Sequence, residues 1–366
     1  MDPTLITTRD FWDDPRPFAS GDIPDLPELG GHVLFETSGT SGNPKWVALS
    51  KQALLVSAAA VNQHLQVTRE SCWGLALPLN HVGGFGIAAR AYDAGCRLEN
   101  TDSRWQPTFF RDWLANAEVT HTSLVPTQVH DLVQARLTAP ATLCAVVVGG
   151  GHSDPATGQA ARDLGWPVLA SYGMSEAASQ IATQRLDSLT EPYHSAPIPL
   201  LPIWQAQATP TGLLSISGPA LFSGYVRNGE FTPRISEWHL TSDRVILENS
   251  QLTPISRADT LVKVLGELVD PESIERELIS LSRGDLAPGT FAVIAIPDSR
   301  TGMALVPVFE SCVATGMIDS LLALYENQAP GFRRLRPPII LAHFPRSSLG
   351  KVRRSELAAI VADGAS

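Results

Sequence analysis

Apolar positions along the chain change their period several times, and each change marks an element. Ala53, Leu54, Ala58, Val61 and Leu65 recur at helical spacing behind Ser50, whose hydroxyl suits an N-cap, and predict a helix through about Gln66. Short continuous apolar runs follow at Leu75-Ala76-Leu77, Ser123-Leu124-Val125, Ala145-Val146-Val147-Val148 and Val168-Leu169-Ala170. Bounded by Gly, Pro or polar residues, they read as strands buried on both faces of a sheet. After the proline-rich stretch Ala196 to Pro210, Gly212 to Ser217 alternates and predicts a strand of a β-rich subdomain. Beyond Asp259 the pattern shortens. Ile274, Leu278 and Leu281 share one side of a helix from Pro271, and two apolar strands, Phe291 to Ile296 and Ala304 to Phe309, flank a turn at Asp298 and Gly302. A helix near Ile318 to Asn327 and a strand near Pro338 to Phe344 complete it. The expected architecture is a large α/β N-terminal domain with a β-rich subdomain, residues 1–258, and a small α+β C-terminal domain, residues 259–366.

Composition narrows the class. A chain of 366 residues exceeds what one core usually serves, which supports the division into a large and a small domain. Hydrophobic residues make up 44% and charged residues 17%, the balance of a globular protein with a sizeable core. With 27 Lys+Arg against 37 Asp+Glu the net charge is −10, so nucleic acid is excluded as a general partner and polyanions must be bound locally. Cys72, Cys96, Cys144 and Cys312 show no metal-binding or disulfide spacing, which suits a reducing compartment. The N-terminus carries no apolar leader and no apolar run is long enough to span a membrane, so the expectation is a cytoplasmic protein without membrane insertion.

Candidate chemistry begins at Thr37-Ser38-Gly39-Thr40-Ser41-Gly42-Asn43-Pro44-Lys45. Glycines let backbone N–H groups converge on an anion, hydroxyls add donors, and Lys45 supplies positive charge, so the loop is suited to phosphate. It is not a Walker loop, because Asn43-Pro44 precede the lysine and Trp46 follows it. Such a run is equally a plain polar loop unless partners occur elsewhere. They do, in order: Tyr172-Gly173-Met174-Ser175-Glu176 after an apolar run, Thr241-Ser242-Asp243, Arg257-Ala258-Asp259, Lys263-Val264-Leu265-Gly266, and Pro345-Arg346-Ser347-Ser348-Leu349-Gly350-Lys351.

This ordered set, from about Leu34 to Lys351, resembles the adenylate-forming superfamily of acyl- and aryl-CoA ligases, adenylation domains and luciferases. Within it, Leu77 to Arg90 with His81, Thr122 to Gln128, and Trp238 to Arg244 are similar to the o-succinylbenzoate–CoA ligases of menaquinone synthesis. The resemblance implies activation of a carboxylic acid by ATP with Mg²⁺ and transfer to CoA. It assigns Thr37 to Lys45 to phosphates, Glu176 with Thr40 to the metal, and Gly150, Gly151 and Tyr172 to Ser175 to the nucleotide. Asp243 and Arg257 fall to the ribose and phosphates, Lys351 to adenylation, and Asp259 to the pivot of a mobile C-terminal lid. Gly266 falls beside the CoA path, while His81, Arg90, Ser123, Thr127 and Gly150 line the acid pocket, His81 also serving catalysis.

Asn80 stands where the family often has an aromatic residue, and Ser175 where threonine is commoner. The large domain is short for the superfamily. Other readings stay open: a different acyl or aryl acid, a stand-alone enzyme loading a carrier protein, or a non-catalytic nucleotide-binding relic. Assembly as a homodimer is likewise open.

Overall fold

The computed structural model describes residues 2–19, 26–37, 45–101, 103–298, 300–347 and 350–364. The chain divides into two compact units, Met1–Thr241 with Val245–Pro254, and Ser242–Arg244 with Ile255–Ser366.

The first unit is built on a six-stranded sheet. In spatial order its strands are Arg97–Asn100, Cys72–Leu75, His121–Leu124, Ala145–Val148, Val168–Met174 and Ser179–Thr183. The first five run parallel and the last pairs antiparallel with its neighbour. Helices Val82–Ala94, Pro107–Asn116, Pro126–Gln134 and Pro155–Asp163 lie between successive strands in sequence. Every residue of Cys72–Leu75, His121–Leu124 and Ala145–Val148 is buried, and in Ala145–Val148 this appears in the sequence as an unbroken apolar run. A five-stranded sheet, Phe18–Ala19, His32–Thr37, Lys45–Ser50, Gly224–Arg227 and Glu230–Pro233, carries the two ends of the glycine-rich loop. The β-rich subdomain is a third sheet containing Leu213–Ser217. Helix Lys51–His64 starts at Ser50, whose side chain accepts from the Ala53 amide at 3.1 Å.

Three elements differ from the sequence expectation. The strand placed at Leu75-Ala76-Leu77 is Cys72–Leu75, because Pro78 lacks an N–H to continue a ladder and the chain turns towards His81. The strand placed at Ser123-Leu124-Val125 is His121–Leu124, since the Val125 amide donates instead to Gln128 Oε1 at 3.0 Å and the residue caps the next helix. The strand placed at Val168-Leu169-Ala170 is Val168–Met174, because Ser179–Thr183 supplies an antiparallel partner for Tyr172, Gly173 and Met174.

The second unit is a sheet covered on both faces. Gly302–Glu310 lies at its centre, pairing with Phe291–Asp298, with Ile339–Leu341 and with Val262–Val264, which pairs in turn with Glu267–Val269. Val293, Leu305 and Phe309 pack with Ile274 and Leu278 of helix Pro271–Ser282 and with Ile318, Leu321 and Tyr325 of helix Thr315–Glu326. Ala292, Ile294, Val306 and Val308, on alternate positions, pack instead against Leu357 and Val361 of helix Arg354–Gly364. That last helix was not singled out by apolar spacing, because it places few large apolar residues among alanines.

Among the described residues no helix is long and apolar enough to cross a membrane. The four cysteines are unpaired.

Candidate active site

In the first unit, the carboxyl ends of adjacent parallel strands bring together residues distant in sequence. His81 follows Cys72–Leu75, Thr127 follows His121–Leu124, Gly150 and Gly151 follow Ala145–Val148, and Glu176 follows Val168–Met174. His81 is half-buried as the N-cap residue of helix Val82–Ala94. Thr127 is half-buried in the first turn of its helix, and Gly150 and Gly151 are exposed. Gly149 is held against the backbone of Ser171, so the glycine loop lies beside the segment carrying Tyr172.

The glycine-rich loop leaves strand His32–Thr37 and returns as Lys45–Ser50, with Thr37 opposite Lys45 and the Thr37 hydroxyl donating to the Lys45 carbonyl at 3.3 Å. Ser38, Gly39, Thr40, Ser41 and Gly42 lie outside the described residues. The Lys45 ammonium stands 3.3 Å from Glu176 Oε1 and 4.0 Å above the centre of the Tyr225 ring. The Tyr225 hydroxyl donates to the same Glu176 oxygen at 2.9 Å. Burial first, then the charge of Glu176 and the hydrogen bond to it, push the Tyr225 phenol well above its ordinary pKa, so it stays a donor. Tyr225 escaped the sequence reading because nothing local marks it. It reaches Glu176 only because Gly224–Arg227 pairs with Lys45–Ser50.

Glu176 sits in the single turn Ser175–Ala177. Among the described residues no group of three His, Cys, Asp or Glu side chains could hold a metal ion. An oxygen-preferring cation at Glu176 would therefore have to share its shell with phosphate and water, the usual arrangement for magnesium.

Arg90 is the most telling of these side chains. It is 1% exposed and has no carboxylate partner among the described residues. Its Nη1 donates to the Ser123 hydroxyl at a long 3.4 Å, its Nε has no hydrogen-bond partner, and its guanidinium stands 5.2 Å from the Trp73 ring. Gly86, one helical turn earlier, makes room: a Cβ there would approach Arg90 Nη2 to 3.2 Å. Burial pushes the Arg90 pKa down to about 9, a measure of how poorly an uncompensated cation is accommodated. A carboxylate offering two oxygens would satisfy these donors.

The remaining candidates belong to the second unit. Asp243 is buried and accepts from Arg257 Nη1 at 2.9 Å, while Arg257 grips both oxygens of Asp259 at 3.0 and 2.7 Å. Burial alone would lower the Arg257 pKa, but the bond to Asp259 and the charges of Asp243 and Asp259 raise it above the ordinary value. Leu265 and Gly266, at φ 51° and 90°, make the tight turn between Val262–Val264 and Glu267–Val269. Lys351 is exposed as a residue, yet desolvation lowers the pKa of its ammonium, opposed by Glu272 and reinforced by Arg257.

Residues 33–226 match the family model described as AMP-binding enzyme. The 2-succinylbenzoate–CoA ligase of Escherichia coli is 31% identical over 283 residues, covering 75% of this chain and 57% of the relative. That of Enterococcus faecalis is 29% identical, covering 88% of this chain and 68% of the relative. The chain thus spans little more than half to two thirds of the length of these relatives. Among solved structures, Escherichia coli MenE with bound OSB-AMS superposes with a TM-score of 0.74 at 27% identity, over 90% of this chain and 68% of that one. ATP-bound MatB of Rhodopseudomonas palustris, 24% identical, shares the fold with a TM-score of 0.77 over 94% of this chain and 70% of that one.

Proposed function

Because the chain belongs to the AMP-binding enzyme family, we propose that it converts a carboxylic acid and ATP to an acyl-adenylate and then passes the acyl group to CoA. The acid we assign is o-succinylbenzoate, and the product o-succinylbenzoyl-CoA, made in the cytoplasm for menaquinone synthesis. In the first step a carboxylate oxygen bonds to the α-phosphorus and pyrophosphate leaves. In the second the CoA thiol loses its proton, its sulfur bonds to the acyl carbon, and AMP leaves.

The observation that carries this reading is Arg90, a buried guanidinium beside Ser123 whose Nε has no hydrogen-bond partner. o-Succinylbenzoate has two carboxylates, and the one on the ring is not activated. Arg90 would bind that group with paired donors, fixing the ring so that the succinyl carboxylate faces the α-phosphate. Ser123, Thr127, Gly150 and His81 would line the rest of the pocket.

The loop from Thr37 to Lys45 would wrap the β- and γ-phosphates, and Lys45 would exchange Glu176 for phosphate oxygens when ATP enters. Glu176, with Thr40, would hold magnesium, which when bound offsets phosphate charge and eases departure of pyrophosphate. Tyr172 offers a face to adenine opposite the backbone at Gly150 and Gly151, with Gly173, Met174 and Ser175 completing that wall. Asp243 accepts from ribose hydroxyls beside Arg257, whose Nη1 donates to it at 2.9 Å. Lys351 stabilises charge growing between carboxylate and α-phosphate. Residues 259–366 act as a lid pivoting at Asp259, and Gly266 lies along the pantetheine path.

ATP–pyrophosphate exchange tests the reading. Exchange should be driven by o-succinylbenzoate and not by benzoate or a long-chain acid, and CoA, rather than a carrier protein, should then yield the thioester by mass spectrometry. Equal exchange with benzoate would remove the assigned acid, and absence of exchange with every acid would remove adenylation itself.

A further inference from the structure

We propose that Arg346 is a positioning residue for Lys351, fixing the turn that carries it so that the ammonium is presented in one place; this rests on Lys351 being the adenylation lysine. An exposed lysine has many rotamers, and stabilising a transition state demands placement well within an ångström. The turn is partly shaped by its own bonds: the Ser347 amide donates to the Lys351 carbonyl at 2.8 Å, the Lys351 amide to the Ser347 hydroxyl at 3.2 Å, and Arg346 bridges Val352. None of these ties it to the rest of the unit.

Arg346 does. Its Nη1 donates to the carbonyl of Gly350, the residue before Lys351, at 3.1 Å. Its Nη2 donates to the Gly289 carbonyl at 2.8 Å and stands 2.8 Å from Glu310 Oε1. Glu310 is itself buried at the end of strand Gly302–Glu310, and the same oxygen accepts the Phe344 amide at 2.8 Å. One planar guanidinium thus joins the turn to a fixed strand. A lysine at this position could keep the charge contact but has no fork to span both partners.

The exit of the turn is held separately. Arg354 pairs with Glu275 at 2.5 Å and Glu272 at 3.3 Å, and Glu275 accepts the Val293 amide at 2.7 Å, so helix Arg354–Gly364 starts from a second fixed point. With Arg346 tying the Gly350 carbonyl and Arg354 tying the start of the next helix, the Lys351 side chain extends from an anchored backbone. Arg346 is the anchor that touches the lysine's neighbour directly.

The test uses the full-length protein with Arg346→Gln and Arg346→Lys, the second preserving the charge opposite Glu310 should the first fold poorly. Adenylation is read by pyrophosphate exchange, and thioester formation separately from supplied o-succinylbenzoyl-adenylate and CoA. Both variants should lose about tenfold or more in the adenylation rate. The KM for ATP and the thioester step should stay within about twofold of wild type. In a Lys351→Ala background neither should cause further loss, because residues that act as a unit are not additive. Backbone amides of residues 346–352 should exchange hydrogen faster in both variants. Parallel loss in both half-reactions, additive loss with Lys351→Ala, or unchanged exchange would overturn the proposal. If wild type forms no adenylate, the functional reading fails by itself, and hydrogen exchange still decides whether Arg346 anchors the turn.

Discussion

Lys351 and Arg90 are both cations whose pKa values desolvation lowers, and the consequences differ because Glu272 opposes the shift at Lys351 whereas burial acts alone on Arg90. In the adenylation role proposed for Lys351 the working form would be the cation, so a lowered pKa would bring the alkaline loss of adenylation to a lower pH than an ordinary lysine would give. The rate should fall on that limb in wild type, and the limb should move to higher pH in Lys351→Arg, whose charge persists. Lys351→Ala should reduce adenylation by roughly 10²–10³ with little change in ATP affinity, since the charge acts mainly in the transition state. For Arg90 the depressed pKa means that the unfolded chain holds the proton more tightly, so at neutral pH the buried charge works against folding in full, and the penalty is relieved only as pH rises through about 9 and beyond. Arg90→Met should therefore stabilise the ligand-free protein by about 1 kcal/mol or more in thermal unfolding. The same change should raise the KM for o-succinylbenzoate about tenfold or more, leave that for ATP unchanged, and abolish stabilisation by the acid. A lower Tm for the variant would mean that Arg90 is a satisfied structural residue.

At the scale of elements, two turns of the second unit carry separable predictions. Gly266 occupies φ 90° where a Cβ would meet no atom within 4 Å, so any loss on substitution comes from backbone strain or from what passes over the turn. Gly266→Asn tolerates the left-handed conformation, whereas Gly266→Leu adds bulk as well as strain. Under the proposed CoA path, Leu should impair transfer to CoA while adenylation persists, and Asn should be milder; equal loss of both steps in the two variants would make Gly266 purely structural. In the turn between Phe291–Asp298 and Gly302–Glu310, Asp298 accepts from the Thr301 amide and hydroxyl and the Arg300 amide, which lower its pKa to about 2, with Arg336 contributing least. Its folded pKa lies below the unfolded one, so its contribution is complete above the ordinary carboxylate value and is lost as pH falls through about 2. Asp298→Asn should flatten the acid limb of Tm against pH; an unchanged limb would discount these bonds.

At the scale of the whole molecule, each unit has a hydrophobic core of its own. All eight tryptophans fall at or before Trp238, so indole fluorescence reports the first unit alone, while far-ultraviolet circular dichroism reports both. Unfolding in urea should give transitions that do not coincide between the two probes, because separate cores need not melt together. Superimposable curves would mean one cooperative structure and would count against a lid that moves independently.

Much of this was determined by the sequence alone, because it depends on local patterns. The strand Ala145–Val148, the helix capped by Ser50, the helix from Pro271 and the hairpin around Asp298 follow from apolar period, cap chemistry and turn residues. The ordered motifs from Thr37 to Lys351 likewise marked the residues assigned to nucleotide and acid. Only tertiary structure decided what those residues touch. Strand pairing, a contact between distant segments, kept Tyr172 to Met174 in a strand and carried Tyr225 to Glu176. Helix packing stripped Arg90 of water without supplying a counter-charge, and the fold of the second unit joined Arg346 to Gly350 and Glu310. Hydrophobic period reports which face of an element is buried; which polar group meets which depends on how the buried faces assemble, and no local pattern encodes that.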